Sequence, residues 1–235
     1  MNIILVTRDT ALGRYLAATL HNTAGLDRII IETGGPSLRF YWRKLKRAGL
    51  ANGLFQFFLN RWFRSETAKH VPPLSLPTHE IVANVNSYPF EDDDLPIGFG
   101  TSYVTASTLG RIKRGFLNLH TGWLPEYRGV KSEFWVLYHA DHARAGWTLH
   151  YMTPQLDAGD IVLRRAIEVD NPSPARLRSR LVLDAAPALA EFIHTVRARG
   201  FDSIPREPQL DGRYYTTPTW RDWHGYRRRL RLAPR

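Results

Sequence analysis

Asn118 and His120 stand two residues apart in Phe116-Leu117-Asn118-Leu119-His120, and together they offer an amide donor and an imidazole. Polar residues alternating with apolar ones read as a strand, and its period of two puts Asn118 and His120 on one face and Leu117 and Leu119 on the other. The pair then sits at the carboxyl end of the strand, where open α/β sheets bind their ligands. Pro125 and Gly129 turn the following chain into an irregular loop. Farther on, Asp157 and Asp160 occupy a glycine loop, Leu156-Asp157-Ala158-Gly159-Asp160, between two strand-like runs at 147–153 and 161–169. Taken alone, Asp157 reads as a turn residue bonding its own backbone.

Such a pair needs a sheet to carry it, and the amino-terminal half supplies one. Ile3 to Val6 reads as a buried parallel strand, Asp9-Thr10 as a helix N-cap, Leu12 to Leu20 as an amphipathic helix ending at Gly25, and Ile29 to Ile31 as a second strand. This βαβ opening predicts an α/β, Rossmann-like fold: a mostly parallel twisted sheet with helices on both faces. No Gly-x-Gly-x-x-Gly follows the first strand, so a dinucleotide site loses its main support. Residues 36–64 read as a helical insertion of two amphipathic helices joined at Gly49 to Gly53. It is expected to pack on the sheet and to line a substrate cleft or a homodimer contact; a membrane surface or other partner is the alternative. A short strand is expected within 80–85, and the run Glu91 to Asp94 reads as a solvated loop. Ser132 reads as an N-cap with Glu133 in the first turn, and Ser173-Pro174 starts a helix that Gly200 ends and Pro187 kinks or splits. The catalytic domain is drawn as 1–200, with 201–235 a short extension, hairpin or helix, packed on it.

With 235 residues, 43% hydrophobic content and no run of membrane-spanning length, the chain suits one sizeable core. Without Cys, disulfides, thiolate catalysis and zinc-thiolate sites drop out. The amino terminus lacks a basic stretch before its apolar residues, so a cytoplasmic address is expected. The net charge of +10 is concentrated: seven basic residues and no acid from Pro36 to Arg64, and six Arg against one Asp from Arg221 to Arg235. Neither cluster carries a nucleic-acid readout motif, so specific nucleic-acid binding is not expected. His139, His142 and His150 lack a third ligand at metal spacing and are expected at helix ends and on the surface, with no metal.

The ordered set of Asn118-x-His120, a Leu124-Pro125 loop, Tyr127-Arg128-Gly129, Gly146 to His150 and Asp157-Ala158-Gly159 resembles the folate-dependent formyltransferases, which use N10-formyltetrahydrofolate. The resemblance covers 1–169 in outline and 116–163 with specificity. It implies that Asn118, His120 and Asp157 are the catalytic residues. It places Ser102, Tyr103 and Val104 beside the pteridine through backbone contacts, with Leu124 and Asp157 also on the cofactor. Arg128 and Lys131, with Tyr127, are the candidate substrate contacts, for a phosphate or for the folate glutamate. Asn118 would donate to the tetrahedral oxyanion, His120 would donate or exchange protons, and Asp157 would orient the imidazole or hold a water. Which of His120 and Asp157 takes the amine proton stays open.

The methionyl-tRNA transformylases of this family carry an additional tRNA-binding domain, and the glycinamide ribonucleotide enzymes a glycine-rich loop where this chain has Thr7 to Thr10. Tyr127-Arg128-Gly129 followed by Phe134-Trp135 looks more like the enzymes that formylate nucleotide-linked amino sugars. A hydroxyornithine, a glycinamide ribonucleotide or another small amine is the second expectation. A non-catalytic basic RNA- or membrane-binding protein on the same scaffold is the third.

Overall fold

The structure is a computed structural model and describes residues 1–35 and 49–232. In chain order it contains β1 (Asn2–Thr7), α1 (Ala11–Ala24), β2 (Arg28–Glu32), α2 (Leu50–Ala68), β3 (Glu80–Val82), β4 (Asp94–Phe99), α3 (Ala106–Leu109) and β5 (Leu117–His120). These are followed by β6 (Arg128–Gly129), α4 (Ser132–Tyr138), β7 (Gly146–Tyr151), β8 (Ile161–Ala166), α5 (Pro174–Arg199), β9 (Tyr214–Tyr215) and α6 (Trp220–Leu232). Seven strands form one sheet in the order β3-β2-β1-β4-β5-β7-β8. The first five are parallel, and β7 and β8 run antiparallel. The sheet is thus the expected Rossmann-like one, with an antiparallel edge. Strand order reverses between β1 and β4, so a crevice opens beyond their carboxyl ends.

Local sequence explains the frame. Thr10 caps α1 by accepting from Gly13 N, and Gly25, in the left-handed region, closes it. Ser173 caps α5 with Pro174 at its first position, and Gly200 ends it. Pro187 lies inside α5 without splitting it. One face of the sheet, with Ile3, Leu5 and Leu119, packs against α1 and α5; the other, with Ile4, Val6 and Phe116, is covered by Val85, Tyr88 and the residues around α3.

Several expectations need correction. Gly53 lies inside α2, and Gly49 precedes it, so no turn separates the two glycines. The other helix expected in the insertion falls on 36–48, outside the described residues. α2 packs on α1 and α5, a helix layer, in place of the sheet. Asp94 leaves the acidic loop to start β4, fully buried and 2.6 Å from Arg28, because a buried carboxylate needs a charged partner. Ser132 is not an N-cap; Lys131 holds that place with left-handed backbone and no side-chain cap bond. The segment after α5 does return as a helix: β9 pairs with β6, and α6 lays Trp223 flat on Phe134 at 5.2 Å with Tyr226 buried beside them.

Candidate active site

Residues beyond the carboxyl ends of β1, β4 and β5 enclose a cleft of about 660 Å³. Its lining includes Asn118, His120, His150 and Asp157, with Ser102, Tyr103, Val104 and Lys131. The three catalytic candidates therefore meet, although some forty residues of sequence separate the last from the first two.

The antiparallel pairing of β5 with β7 sets Asn118 directly opposite His150. Asn118 Nδ2 lies 3.1 Å from His150 Nε2, and His150 Nδ1 lies 2.8 Å from Tyr151 O. A carbonyl only accepts, so His150 carries a hydrogen on Nδ1, and its Nε2 faces both the Asn118 amide and the Asp157 carboxylate. His150 is therefore a buried strand residue that aims the Asn118 amide, and the surface position expected for it is corrected. The alternation Thr148-Leu149-His150 puts Thr148 and His150 on the same face, but the pairing with β5 decides that this face is buried.

His120 is held from the other side. Its Nε2 lies 2.8 Å from Tyr127 O and 3.1 Å from Ser132 Oγ, while Ser132 Oγ donates to Tyr127 O at 3.0 Å. By the same argument Nε2 bears a hydrogen, which turns Nδ1 toward Asp157 Oδ2 at 3.7 Å. At that distance the contact is electrostatic, too long for a good hydrogen bond. Gly122 makes this close approach possible: a Cβ there would stand 2.5 Å from His120 Nε2.

Asp157 has left-handed backbone, φ 51°, in the turn between β7 and β8. Its Oδ2 accepts from Gly129 N at 2.8 Å and its Oδ1 lies 3.5 Å from His150 Nε2. Burial raises the carboxyl pKa, but the charge of His120, the His150 contact and the Gly129 N–H outweigh it and hold Asp157 well below the usual carboxylate range. The site thus presents an amide donor, two imidazoles and an ionised carboxylate to one space. Together they can polarise an oxygen and relay a proton.

The expected cofactor loop lies along the cleft and is anchored from below. Buried Glu32 at the end of β2 accepts from Ser102 N at 2.7 Å and Val85 N at 3.0 Å, and Arg8 reaches both Glu32 and Ser102. Tyr103 spans the mouth, its hydroxyl donating to Pro154 O at 2.9 Å, and Val104 is buried in the wall. Leu124 does not reach the cleft. It is fully buried behind it, its N–H donating to Thr148 Oγ1.

Of the substrate candidates only Lys131 lines the cleft, with its ammonium 3.6 Å from the centre of the Phe63 ring. Arg128 is buried and points the other way, donating to Gln209 Oε1 at 3.1 Å and Leu210 O at 2.8 Å. Tyr127 stacks on Tyr215 and donates to Asp141 at 3.0 Å; burial and that carboxylate push its pKa up. Pairing of β6 with β9 draws both side chains toward the C-terminal segment. Among the described residues Arg8, Arg64 and Arg178 line the cleft besides Lys131; the 36–64 insertion, and with it Arg64, is expected at a cleft or dimer contact, but sequence reasoning gave Arg8 and Arg178 no place there. Their positions depend on strand order and on α2, which local patterns do not report.

The sequence model of the Formyl transferase family matches residues 101–189, the stretch that carries Asn118, His120 and Asp157. The resemblance read from those residues therefore holds. A methionyl-tRNA formyltransferase of Clostridioides difficile is 33% identical over 98 residues, 41% of this chain and 30% of the relative. The chain thus aligns with about a third of that relative's length. Among solved structures, the sugar 3N-formyl transferase WlaRD, crystallised in the presence of dTDP and 5-N-formyl-THF, superposes with a TM-score of 0.58 at 15% identity, over 92% of this chain and 69% of the other. A 4-N formyltransferase from Francisella tularensis gives 0.57 at 15% identity over 96% and 86%. At these identities the structural likeness speaks for the fold.

Proposed function

We propose that the chain is an N-formyltransferase that moves a formyl group from N10-formyltetrahydrofolate to the primary amine of a nucleotide-linked sugar. The convergence of Asn118, His120 and Asp157 on one cleft wall carries this reading. On it, residues 1–200 are the catalytic unit, 201–235 are an extension docked on it, and the protein works in the cytoplasm.

The cleft suits a small-molecule substrate in size, and its lining suits the two substrates in chemistry. Its volume falls within the roughly 300–1,000 Å³ usual for small-molecule sites. The loop at 100–104 offers backbone groups for a pteridine, and Arg64, Lys131 and Arg178 on the cleft lining supply positive charge for a diphosphate. Asn118 would donate its free amide hydrogen to the oxyanion formed when the amine adds to the formyl carbon. A donor of this kind contributes about 3 to 4 kcal/mol. His120 and the ionised Asp157 can take up the proton that the attacking amine loses, and the imidazole can pass one to the departing folate nitrogen.

The test is incubation with N10-formyltetrahydrofolate and a panel of nucleotide-linked amino sugars, read by the mass of the N-formyl product and by release of tetrahydrofolate. Product with none of the amines, together with donor hydrolysis at an unchanged rate when amines are added, would replace the reading with a deformylase. An aminoacyl-tRNA acceptor is the second reading, favoured by the sequence relative, and charged tRNA belongs in the same panel.

A further inference from the structure

We propose that the cleft-facing stripe of α2, with Arg178 of α5, is a phosphoryl-binding subsite in which Arg64 and the Thr67 hydroxyl hold the diphosphate of the acceptor, so that α2 selects the amine. Asn60, Phe63, Arg64 and Thr67 all line the cleft. Their spacing of i, i+3, i+4 and i+7 puts them on one face of the helix. Thr67 gives the first sign of a ligand. It is 5% exposed and its carbonyl accepts from Ser179 Oγ at 3.0 Å, yet its own Oγ1 has no partner among the described residues. A threonine inside a helix can satisfy its hydroxyl on the carbonyl four residues back, and Thr67 does not. The hydroxyl therefore keeps its donor for a group that enters the cleft.

Arg178 is the second part of the grip, because the bond from Ser179 to Thr67 sets the start of α5 beside this stripe. Its side chain is 26% exposed, and its polar contacts use one nitrogen: Nη1 donates to Thr121 Oγ1 at 3.1 Å and lies 3.4 Å from Glu133 Oε1. Nε and Nη2 have no partner among the described residues, so a guanidinium anchored at one corner keeps its other donors for a ligand. Arg64 has no ion pair among the described residues, whereas Arg8 is held by Glu32 and Ser102, and Glu66 of α2 pairs with Lys69. Lys131 adds its charge through its place on the Phe63 ring. Fully buried Glu133 offsets one of the cations Arg64, Lys131 and Arg178, and the two that remain match the two charges of a diphosphate diester. The two carboxylates of a folate glutamate stand on separate arms of a flexible chain and suit so compact a cluster less well. That the diphosphate belongs to the amine substrate rests on the formyl-transfer reading; that the cluster binds a phosphoryl dianion does not.

The test is a phosphorus NMR titration of the full chain with inorganic pyrophosphate, with and without saturating tetrahydrofolate. Binding that the folate leaves in place is expected. Arg64→Ala should weaken it about tenfold or more and Thr67→Val about fivefold, with unchanged thermal unfolding midpoints. Arg64 is exposed and Val keeps the shape of Thr, so both variants should fold. With an amine that the chain formylates, both should raise the KM of that amine by similar factors and leave the KM of the folate donor unchanged. No binding of pyrophosphate, undiminished binding by both variants, or displacement by the folate, which would give the cluster to the glutamate, would overturn the proposal. Binding weakened by the variants, with no product from any nucleotide-linked amine, would keep the subsite and remove the transfer. Product formed by the variants at an unchanged KM would keep the transfer and overturn the subsite.

Discussion

Two regions flank the loop from Thr121 to Lys131, and they use their residues in opposite ways. On the cleft side, buried His120 and His150 and half-buried Asn118 and Asp157 are polar groups set against one another, and β5 and β7 supply the frame. On the other side, Phe134, Trp135, Tyr215, Trp223 and Tyr226 form an aromatic seam that holds α6 and β9 to the sheet domain. Buried polar groups that satisfy each other add little net stability but fix geometry and charge, whereas buried aromatic surface adds stability and has no chemistry to offer. Substitutions in the first region should therefore change turnover more than folding, and those in the second the reverse.

Asp157→Asn offers the sharpest separation. Formyl transfer should fall about a thousandfold or more, while the fold survives, measured as product formation beside far-ultraviolet circular dichroism. Stability should also lose a pH dependence. Because the folded-state pKa of Asp157 is depressed, its ionised form stabilises the wild type above the ordinary carboxylate value of 3.8, and that contribution is lost as pH falls through the depressed value. Urea midpoints taken from neutral to acid pH should thus fall more steeply for wild type than for the variant. Equal slopes would mean the His120 and His150 contacts are weaker than their geometry implies. Tyr226→Ala tests the seam: a loss of about 3 kcal/mol in unfolding free energy is expected, with kcat of the folded fraction unchanged. A collapse of kcat at constant stability would erase the distinction between the regions.

What the sequence disclosed, and what it hid, follows the same division. β1, α1 with its Thr10 cap, and α5 with Ser173-Pro174 and Gly200 were readable because spacing and capping are local. Asn118 and His120 were readable because alternation is local too. His150 was assigned to the surface because its burial depends on a register with β5 thirty-two residues away. Ser132 offered a plausible cap, yet its hydroxyl serves His120, a contact that exists only once β5 and α4 are folded together. Tyr127 and Arg128 were drawn toward the cleft by their nearness to Asn118, while a strand more than eighty residues later takes their side chains away.

Ser132→Ala asks whether that hydroxyl matters to His120. The Tyr127 carbonyl remains, so the tautomer should persist with a looser ring. A decrease of about tenfold in kcat with KM little changed, and altered 15N shifts of the His120 ring, are expected. An unmoved ring signal would make Ser132 a packing residue.

The smallest and most discriminating expectation concerns Arg128, because the sequence and the structure give it different partners. A substrate phosphate bound by Arg128 would make Arg128→Lys raise KM several-fold at constant stability, since an ammonium keeps the charge but loses the fork. In the structure that guanidinium is buried and already occupied by Gln209 and Leu210 O. Lys at 128 should instead leave a carbonyl and an amide poorly satisfied, costing about 1 to 2 kcal/mol of stability while KM stays put. Parallel urea titration and Michaelis kinetics on one preparation decide it. A raised KM with an unchanged midpoint would place Arg128 on the reaction side of the loop and move the boundary between the two regions.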